Sequence, residues 1–278
     1  MLLSKLFVCR IRSKSHIVLY MNGLPRKIQA SVARPQLSRQ SPQQGNSHIA
    51  SNEKTREPQQ IHECLLSRSG YRVRMADSPG QRNKATMLIK SMYSWRGYAT
   101  EHIATLPHNP NCIALEASTE DKMFGTLSVG LDSADGLLAD SLYQAEIDIL
   151  RRMGRRVCEI SKLAFNPQYS SKEAIASLFH LAYIYAHNIY QRTDLLIEVN
   201  PRHVSFYQRR LGFQQIGELR TCPRVDAPAI LLHVALDYGA KQIAKYAGSR
   251  DPNGKSLYPY FFSAAEVQGL TSRIVNAA

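Results

Sequence analysis

The sequence lacks the patterns that build metal and disulfide sites. None of its five cysteines forms a CxxC pair, and its nine histidines include no HExxH motif. We therefore expect neither a metal site nor a disulfide framework. Scattered single cysteines are typical of a reducing cytoplasm. The cysteines are Cys9, Cys64, Cys112, Cys158 and Cys222.

Long apolar runs are absent as well. No stretch approaches the roughly 18 apolar residues that a membrane-spanning helix needs. The LLSKLFV segment near the start is too short for the apolar part of a signal peptide. The sequence therefore predicts a cytoplasmic protein without membrane-spanning segments.

Positive charge is concentrated at one end of the chain. The formal net charge is +13 over 278 residues, and residues 1–60 hold ten Lys/Arg against two Asp/Glu. That end is also rich in Ser, Gln and Pro, so it cannot bury enough apolar surface to offset its ordering entropy. We predict a disordered basic tail over residues 1–62, followed by one folded domain over 63–278. A solvated tail is the simplest interpretation, although its charge could also contact nucleic acid or an anionic membrane.

The clearest local pattern lies in residues 194–213, DLLIEVNPRHVSFYQRRLGF. Apolar residues alternate up to Val199, which predicts a buried strand. Asn200 can cap the helix that follows, and Pro201 suits the first helical position. Gly212 is placed to end that helix with a positive φ.

Alternation predicts further strands elsewhere. Residues 112–117 and 124–129 flank a short EDKM turn, so we expect an antiparallel hairpin there. The remaining predicted strands are 71–75, 157–165, 214–220 and 229–236.

Polar residues before apolar periodic segments predict where helices begin. Ser78 and Pro79 begin one helix, and Asp140 or Ser141 can cap a second that runs to Gly154. A third helix is expected before the 194–199 strand, and Ser170 and Glu173 suggest a capping box at its start. Two more helices are expected over residues 237–246 and 263–274. On the first helix we expect four side chains to point towards the core: Met87, Leu88, Met92 and Trp95.

Four segments together resemble the FeeM-type N-acyl amino acid synthases, relatives of the acyl-homoserine-lactone synthases in the GNAT superfamily. They are GRRVCEISKLAFNP, NPRHVSFYQRRLGF, RTCPRVDAPAILL and SLYPYFFS. The resemblance covers roughly residues 71–275. It implies a bacterial acyltransferase with an α/β, GNAT-like fold, in which a central mixed, mostly antiparallel twisted sheet is flanked by helices.

The resemblance also assigns a role to Glu159. In CEISKL this residue stands where the homoserine-lactone synthases have a glutamate. A carboxylate on an apolar strand is costly unless it is paired or used, and acyl transfer to an amine needs a base. We therefore predict that Glu159 is the catalytic base. The alternative is a structural salt bridge with Arg155 or Arg156.

Strand alternation places other polar residues beside Glu159. Ser161 is expected on the same face, and Lys162 on the opposite face together with Ile160 and Ala164. Lys162 stands where the related synthases have arginine, which makes S-adenosylmethionine chemistry less expected.

The resemblance implies further site residues. Tyr207 matches the tyrosine that serves GNAT enzymes as general acid, although core packing would explain it equally. Substrate contacts are expected from a set in which Asn200 could act only as a helix cap: Trp95, Arg96, Ser161, Lys162 and Asn200. Contacts to an acidic carrier protein are expected from three arginines: Arg202, Arg209 and Arg210.

The absence of glycine after the 157–165 strand indicates which acyl donor the enzyme uses. GNAT enzymes that use coenzyme A bind its pyrophosphate in a glycine-containing loop at a helix N-terminus, but no glycine occurs between Gly154 and Gly212. We therefore predict no bound cofactor and a phosphopantetheine thioester on acyl carrier protein as the donor, with an amino acid as acceptor. The alternatives are an acetyl-CoA-dependent N-acetyltransferase and a non-catalytic GNAT-like module that binds through its tail.

Overall fold

The computed structural model describes residues 64–106, 108–249 and 254–277. The described strands are β1 (Cys64–Arg68), β2 (Tyr71–Met75), β3 (Cys112–Ser118), β4 (Met123–Leu131), β5 (Val157–Phe165), β6 (Asp194–Val199), β7 (Gln214–Gln215), β8 (Arg220–Cys222) and β9 (Ala227–Ala235). The described α-helices are α1 (Pro79–Trp95), α2 (Asp140–Arg152), α3 (Lys172–Tyr183), α4 (Pro201–Leu211), α5 (Leu236–Tyr246) and α6 (Ala264–Ala277). A π-helical segment, Ile184–Ile189, continues α3.

The strands form one sheet in the order β1-β2-β3-β4-β5-β6-β9-β7, with β8 also paired to β9. Among the described strands only β5 and β6 pair in parallel. The predicted β3–β4 hairpin is confirmed. Strand β1 was not predicted, because CLLSR is short and shows little alternation.

Helices cover both faces of the sheet. Tyr143 and Ile147 of α2 pack on Val157 and Leu196, and α1 packs on Ala164 further along the same face. Helices α3 and α4 pack on the opposite face, where they form the main core. The sheet is therefore buried between two layers, as expected for an α/β domain.

Helix α1 begins as predicted and orients its side chains differently. Ser78 accepts the N–H of Gln81, whose side chain accepts the N–H of Ser78, so the two residues form a capping box. Leu88 and Met92 pack towards the core. The prediction that Met87 and Trp95 also point inwards is wrong, since they are 70% and 64% exposed.

In contrast to the cap of α1, the predicted N-caps of α2 and α3 are wrong. Neither Asp140 nor Ser141 caps α2; the N-cap is Ala139, and its side chain makes no capping hydrogen bond. Helix α3 is capped by Ser171, whose hydroxyl accepts the N–H of Ala174. Ser170 instead donates to a carbonyl in the preceding turn, so the expected Ser170–Glu173 box does not form.

Strand β5 contains a bulge that sequence alternation did not predict. Ser161 pairs with Ser128, but Ala164 pairs with Thr126, so β5 has one extra residue. Lys162 lies at this point with φ 53°. Ala164 therefore packs against α1, on the Glu159 side of the sheet, and the expectation that it shares the face of Ile160 is wrong.

Candidate active site

The sheet opens between β5 and β6. These strands pair from Val157 and Asp194 only as far as Ile160 and Ile197. Beyond that point β5 stays paired with β4, and β6 stays paired with β9. The resulting cleft lies beside Ser161, where an extended ligand can reach backbone groups that no longer bond across the two strands.

Glu159 lies just before this opening and is 4% exposed. Its carboxylate accepts the backbone N–H of Leu138 at 2.8 Å and that of Ala139 at 3.1 Å. These groups directly precede the first helical residue of α2, so the carboxylate lies at the positive end of the helix dipole. A Cβ at Gly130 would lie 3.2 Å from Glu159 Oε1, so glycine at that position leaves room for the side chain.

Burial raises the pKa of Glu159, while the two N–H donors and the charge of Arg224 oppose the shift. The nearby Glu198 carboxylate raises the pKa further. A carboxyl group with these neighbours can take a proton from an ammonium group more readily than an ordinary glutamate. The alternative salt bridge with Arg155 or Arg156 does not form among the described residues, since Arg155 pairs with Asp194 and both Glu159 oxygens accept backbone N–H groups.

Arg224 joins the elements around Glu159. Its guanidinium pairs with Glu198 of β6 at 2.7 Å, donates to the Leu138 carbonyl at 3.0 Å and also bonds the Ser141 hydroxyl. The turn between β8 and β9 is thereby tied to the start of α2. Charge on Glu198 is balanced by this arginine.

Tyr207 lies in α4, the helix that directly follows β6. Its ring packs edge-on against Phe179 and Phe213, and it is 6% exposed. The phenol is protonated at neutral pH, as in any tyrosine, and burial raises its pKa further. Two residues at the end of α1 affect this pKa: Tyr93 raises it and the charge of Arg96 lowers it.

The loop after α1 connects these parts of the site. Ala99 N–H donates to the Val225 carbonyl in the β8–β9 turn at 3.0 Å. Arg202 of α4 lies 4.9 Å from the ring of Tyr98 and 3.5 Å from the Arg96 carbonyl. Arg96 is close enough to Tyr207 to affect its pKa, whereas Trp95 is largely exposed and contacts Arg96. Asn200 caps α4 as predicted by accepting the Arg202 N–H.

The bulge brings Lys162 to the same region. Its charge lowers the pKa of Cys112, although burial raises that pKa overall. Cys112 lies in register with Gly130, and Gly130 with Glu159. The charge of Lys162 is therefore felt by a residue that lies in register with the Glu159 position.

The three arginines predicted to contact a carrier protein lie along α4. Arg209 is exposed and donates to Ser205 at 3.0 Å. Arg210 is half-buried and donates to the Lys255 carbonyl at 2.6 Å. Arg202 turns towards the Tyr98 loop, so only part of the set faces away from the site.

Sequence reasoning did not identify Glu198, Arg224 or Tyr93 as site residues. Arg224 lies in the TCPR segment, but its partner Glu198 is 26 positions earlier in the chain. Alternation along β6 was the only available signal, because it places Glu198 on the same face as Leu196, the register partner of Glu159.

In the part of the chain that the structure describes, no group of three or more His, Cys, Asp or Glu is placed to hold a metal ion. Likewise, no described helix is both long enough and apolar enough to cross a membrane.

Comparison with known proteins gives the family. The model of the N-acyl amino acid synthase FeeM matches residues 84–235, more than half of the chain. The chain belongs to the FeeM family of N-acyl amino acid synthases. It is therefore an N-acyltransferase, and the reading as a non-catalytic module is wrong. The family uses an acyl donor and an amino-acid acceptor.

One solved structure agrees with this assignment, and a second is a further similar structure. The structure of FeeM from uncultured soil microbes is 30% identical, with a TM-score of 0.56 over 60% of this chain and 92% of that one. Escherichia coli ElaA is 10% identical, with a TM-score of 0.44 over 59% of this chain and 97% of that one. No curated protein matches the sequence at a significant level. The GNAT-like α/β fold predicted from the sequence is confirmed.

Proposed function

We propose that this FeeM-family enzyme transfers a long-chain fatty acyl group from an acyl carrier protein to the α-amine of an amino acid. The observation that carries the proposal is the position of Glu159, a buried carboxylate at the edge of the β5–β6 opening. A thioester placed in that opening would have a base on one side and the Tyr207 phenol on the other.

The chemistry follows from these two groups. Glu159 takes a proton from the acceptor ammonium, directly or through a water molecule, so that the neutral amine attacks the thioester carbonyl. The tetrahedral intermediate then collapses and the C–S bond breaks, and Tyr207 gives its proton to the departing thiolate. The resulting phenolate takes up the second proton that the attacking nitrogen loses as the amide forms, and Glu159 releases its proton to solvent. The products are an N-acyl amino acid and a free thiol. Holding both reactants in one cleft supplies the positioning part of the rate enhancement.

The turn between β5 and α3 supports a carrier protein as donor. The N-terminus of α3 is capped by its own Ser171, and Lys172 contacts the C-terminal segment at the Gly254 carbonyl (3.1 Å) and over the Tyr260 ring (4.1 Å). A glycine loop for the coenzyme A pyrophosphate is absent from this turn. Exposed Arg209 offers positive charge to an acidic carrier.

The reaction is tested by mass spectrometry of lipids from bacteria that express the full chain. We expect new N-acyl amino acids, which identify both substrates, and we expect Glu159→Gln to reduce them by about 10²-fold or more. Glu116→Gln is the matched control, because Glu116 is a buried carboxylate on β3 that pairs with Arg74 instead. Product formation by folded Glu159→Gln protein at the wild-type level would remove Glu159 from the mechanism.

The donor is tested with purified protein given equal concentrations of hexadecanoyl carrier protein, hexadecanoyl-CoA and acetyl-CoA. We expect transfer from the carrier protein to be fastest, and Arg209→Glu to raise KM for the carrier protein alone. Faster transfer from acetyl-CoA would show an N-acetyltransferase instead.

A further inference from the structure

Two arginines and a histidine meet between the loop after α1 and the first turn of α4. Arg202 reaches the Arg96 carbonyl at 3.5 Å. Both arginines are close enough to His203 to lower its pKa, which burial and their charges bring to about 4. Two neighbouring positive charges favour the binding of an anion between them.

No carboxylate of the described residues pairs with either guanidinium. The Arg96 guanidinium contacts the Trp95 ring at 5.9 Å, and that of Arg202 contacts the Tyr98 ring at 4.9 Å. By contrast, Arg151, Arg155, Arg220 and Arg224 all have carboxylate partners. The buried Nε2 of His203 also has no hydrogen-bond partner among the described residues.

The cluster borders the proposed active site. His203 and Tyr207 are four residues apart in α4 and share one helix face. Arg96 affects the pKa of Tyr207, and Tyr93, three residues earlier, is affected by Glu198. A ligand held by this cluster would therefore lie next to the leaving-group side of the opening.

We propose that Arg96, Arg202 and His203 bind an oxyanion of one of the two substrates. Two guanidinium groups and a neutral imidazole N–H can supply several charge-assisted hydrogen bonds to planar or tetrahedral oxygens. Because this inference rests on the proposed function, the oxyanion is either the α-carboxylate of the amino acid or the phosphate of the phosphopantetheine arm.

Trp95 provides a direct measurement of binding. It is the only tryptophan in the chain, it is 64% exposed, and its ring contacts Arg96. The full chain is titrated with two pairs of probes: N-dodecanoylglycine against N-dodecanoylglycinamide, and 4′-phosphopantetheine against pantetheine. Binding is followed by Trp95 fluorescence and, for all variants, by isothermal titration calorimetry.

We expect the anionic member of one pair to bind about ten-fold or more tightly than its neutral partner. Arg96→Gln and Arg202→Gln should abolish this difference. Lys90→Gln, which removes one exposed positive charge from the same α1 helix, should retain it. Discrimination in the glycine pair identifies the acceptor carboxylate, and discrimination in the pantetheine pair identifies the donor phosphate.

Equal binding within both pairs would overturn the proposal, and so would discrimination that survives both arginine substitutions. The binding measurement is independent of turnover. A protein that discriminates between the probes but makes no N-acyl amino acid would refute the proposed function and leave the oxyanion site in place.

Discussion

At the scale of single residues, the site depends on how its acidic groups are paired. Glu198 has Arg224 as a partner, whereas Glu159 has only two backbone N–H groups in direct contact. Their environments therefore differ, since Glu198 is balanced by a full charge and the pKa of Glu159 is raised by burial. The raised pKa makes Glu159 a better proton acceptor near neutral pH than an ordinary glutamate.

Tyr207 permits a clean test of the general acid. Among the described residues its hydroxyl has no recorded hydrogen bond, and its ring packs against Phe179 and Phe213. Tyr207→Phe should therefore leave Tm unchanged and reduce kcat with a pantetheine thioester by about 10²-fold. The loss should shrink with an aryl thioester, whose thiolate departs without a proton.

The matched control for this test is Tyr185→Phe. Tyr185 is also buried, and its hydroxyl likewise lacks a partner in the described structure. Its removal should not change kcat with either thioester. An equal loss for both thioesters in Tyr207→Phe would mean that the tyrosine positions the substrate and does not supply the proton.

The residues that begin and end a helix could be predicted from the sequence, because they act on their immediate neighbours in the chain. Asn200 begins α4 and Gly212 ends it, as expected, and Gly212 has φ 80°. The position of Glu159 on a buried strand was also predictable. Arg224 was not, because its partner Glu198 is brought to it only when β6 and β9 pair.

At the scale of elements, the bulge in β5 shapes the opening. Lys162 has φ 53°, a conformation that side chains branched at Cβ adopt at a cost of about 1–2 kcal/mol. The alternation of apolar residues cannot locate the bulge, because the extra residue does not change the pattern in the part of β5 that precedes it.

Substitutions at Lys162 should report this strain. We expect Lys162→Val to be less stable than Lys162→Gly by about 1–2 kcal/mol in the free energy of unfolding, because glycine accepts a positive φ. Urea unfolding measures both. The same pair at Lys90, which is in regular helix, should show the opposite order, with glycine less stable. Equal stability of the two Lys162 variants would argue against the bulge.

Asp194 is the first residue of β6, and its side chain connects β6 to the start of β5 and to β9. It pairs with Arg155 before β5 at 2.6 Å and with His233 of β9 at 2.7 Å. These hydrogen bonds outweigh the opposing effect of burial and lower its pKa from 3.8 to about 2. The ionised form therefore stabilises the fold above about pH 4, and this contribution is lost as the pH falls towards 2.

Asp194→Asn should reduce the free energy of unfolding by about 2 kcal/mol at pH 7. The difference from wild type should narrow between pH 4 and pH 2, which urea unfolding at several pH values would show. Asp148→Asn is the control, because Asp148 is a more exposed partner of Arg151 and should cost less than about 1 kcal/mol. A constant difference across this pH range would mean that packing, and not ionisation, explains the loss.

Helix caps show the limit of local prediction at this scale. The capping box of α1 lies within four residues and was partly visible as Ser78 and Pro79. The start of α2 is stabilised by Glu159, about 20 residues later in the chain. A cap that comes from another element leaves no nearby polar signal, so a wrong local cap was chosen.

At the scale of the whole molecule, the C-terminal segment completes the core. The family match ends at residue 235, yet later residues are buried in the main core: Leu257, Tyr258, Phe261, Phe262, Leu270 and Ile274. His180 of α3 accepts the Phe262 N–H at 2.8 Å and stacks on both phenylalanine rings. The SLYPYFFS segment, one of the four that carry the family resemblance, is thus part of the fold.

Two truncations test this division of the chain. Ending the protein after residue 248 removes six buried side chains worth on the order of 10 kcal/mol, which is comparable to the whole stability of a domain. We expect that form to be unfolded by circular dichroism. Deleting residues 1–62 should leave Tm unchanged, because the sequence predicts that this basic, apolar-poor segment does not fold. A lower Tm after the N-terminal deletion would place those residues in the folded domain, and a cooperative thermal transition after the C-terminal one would show that α6 and its preceding segment are dispensable.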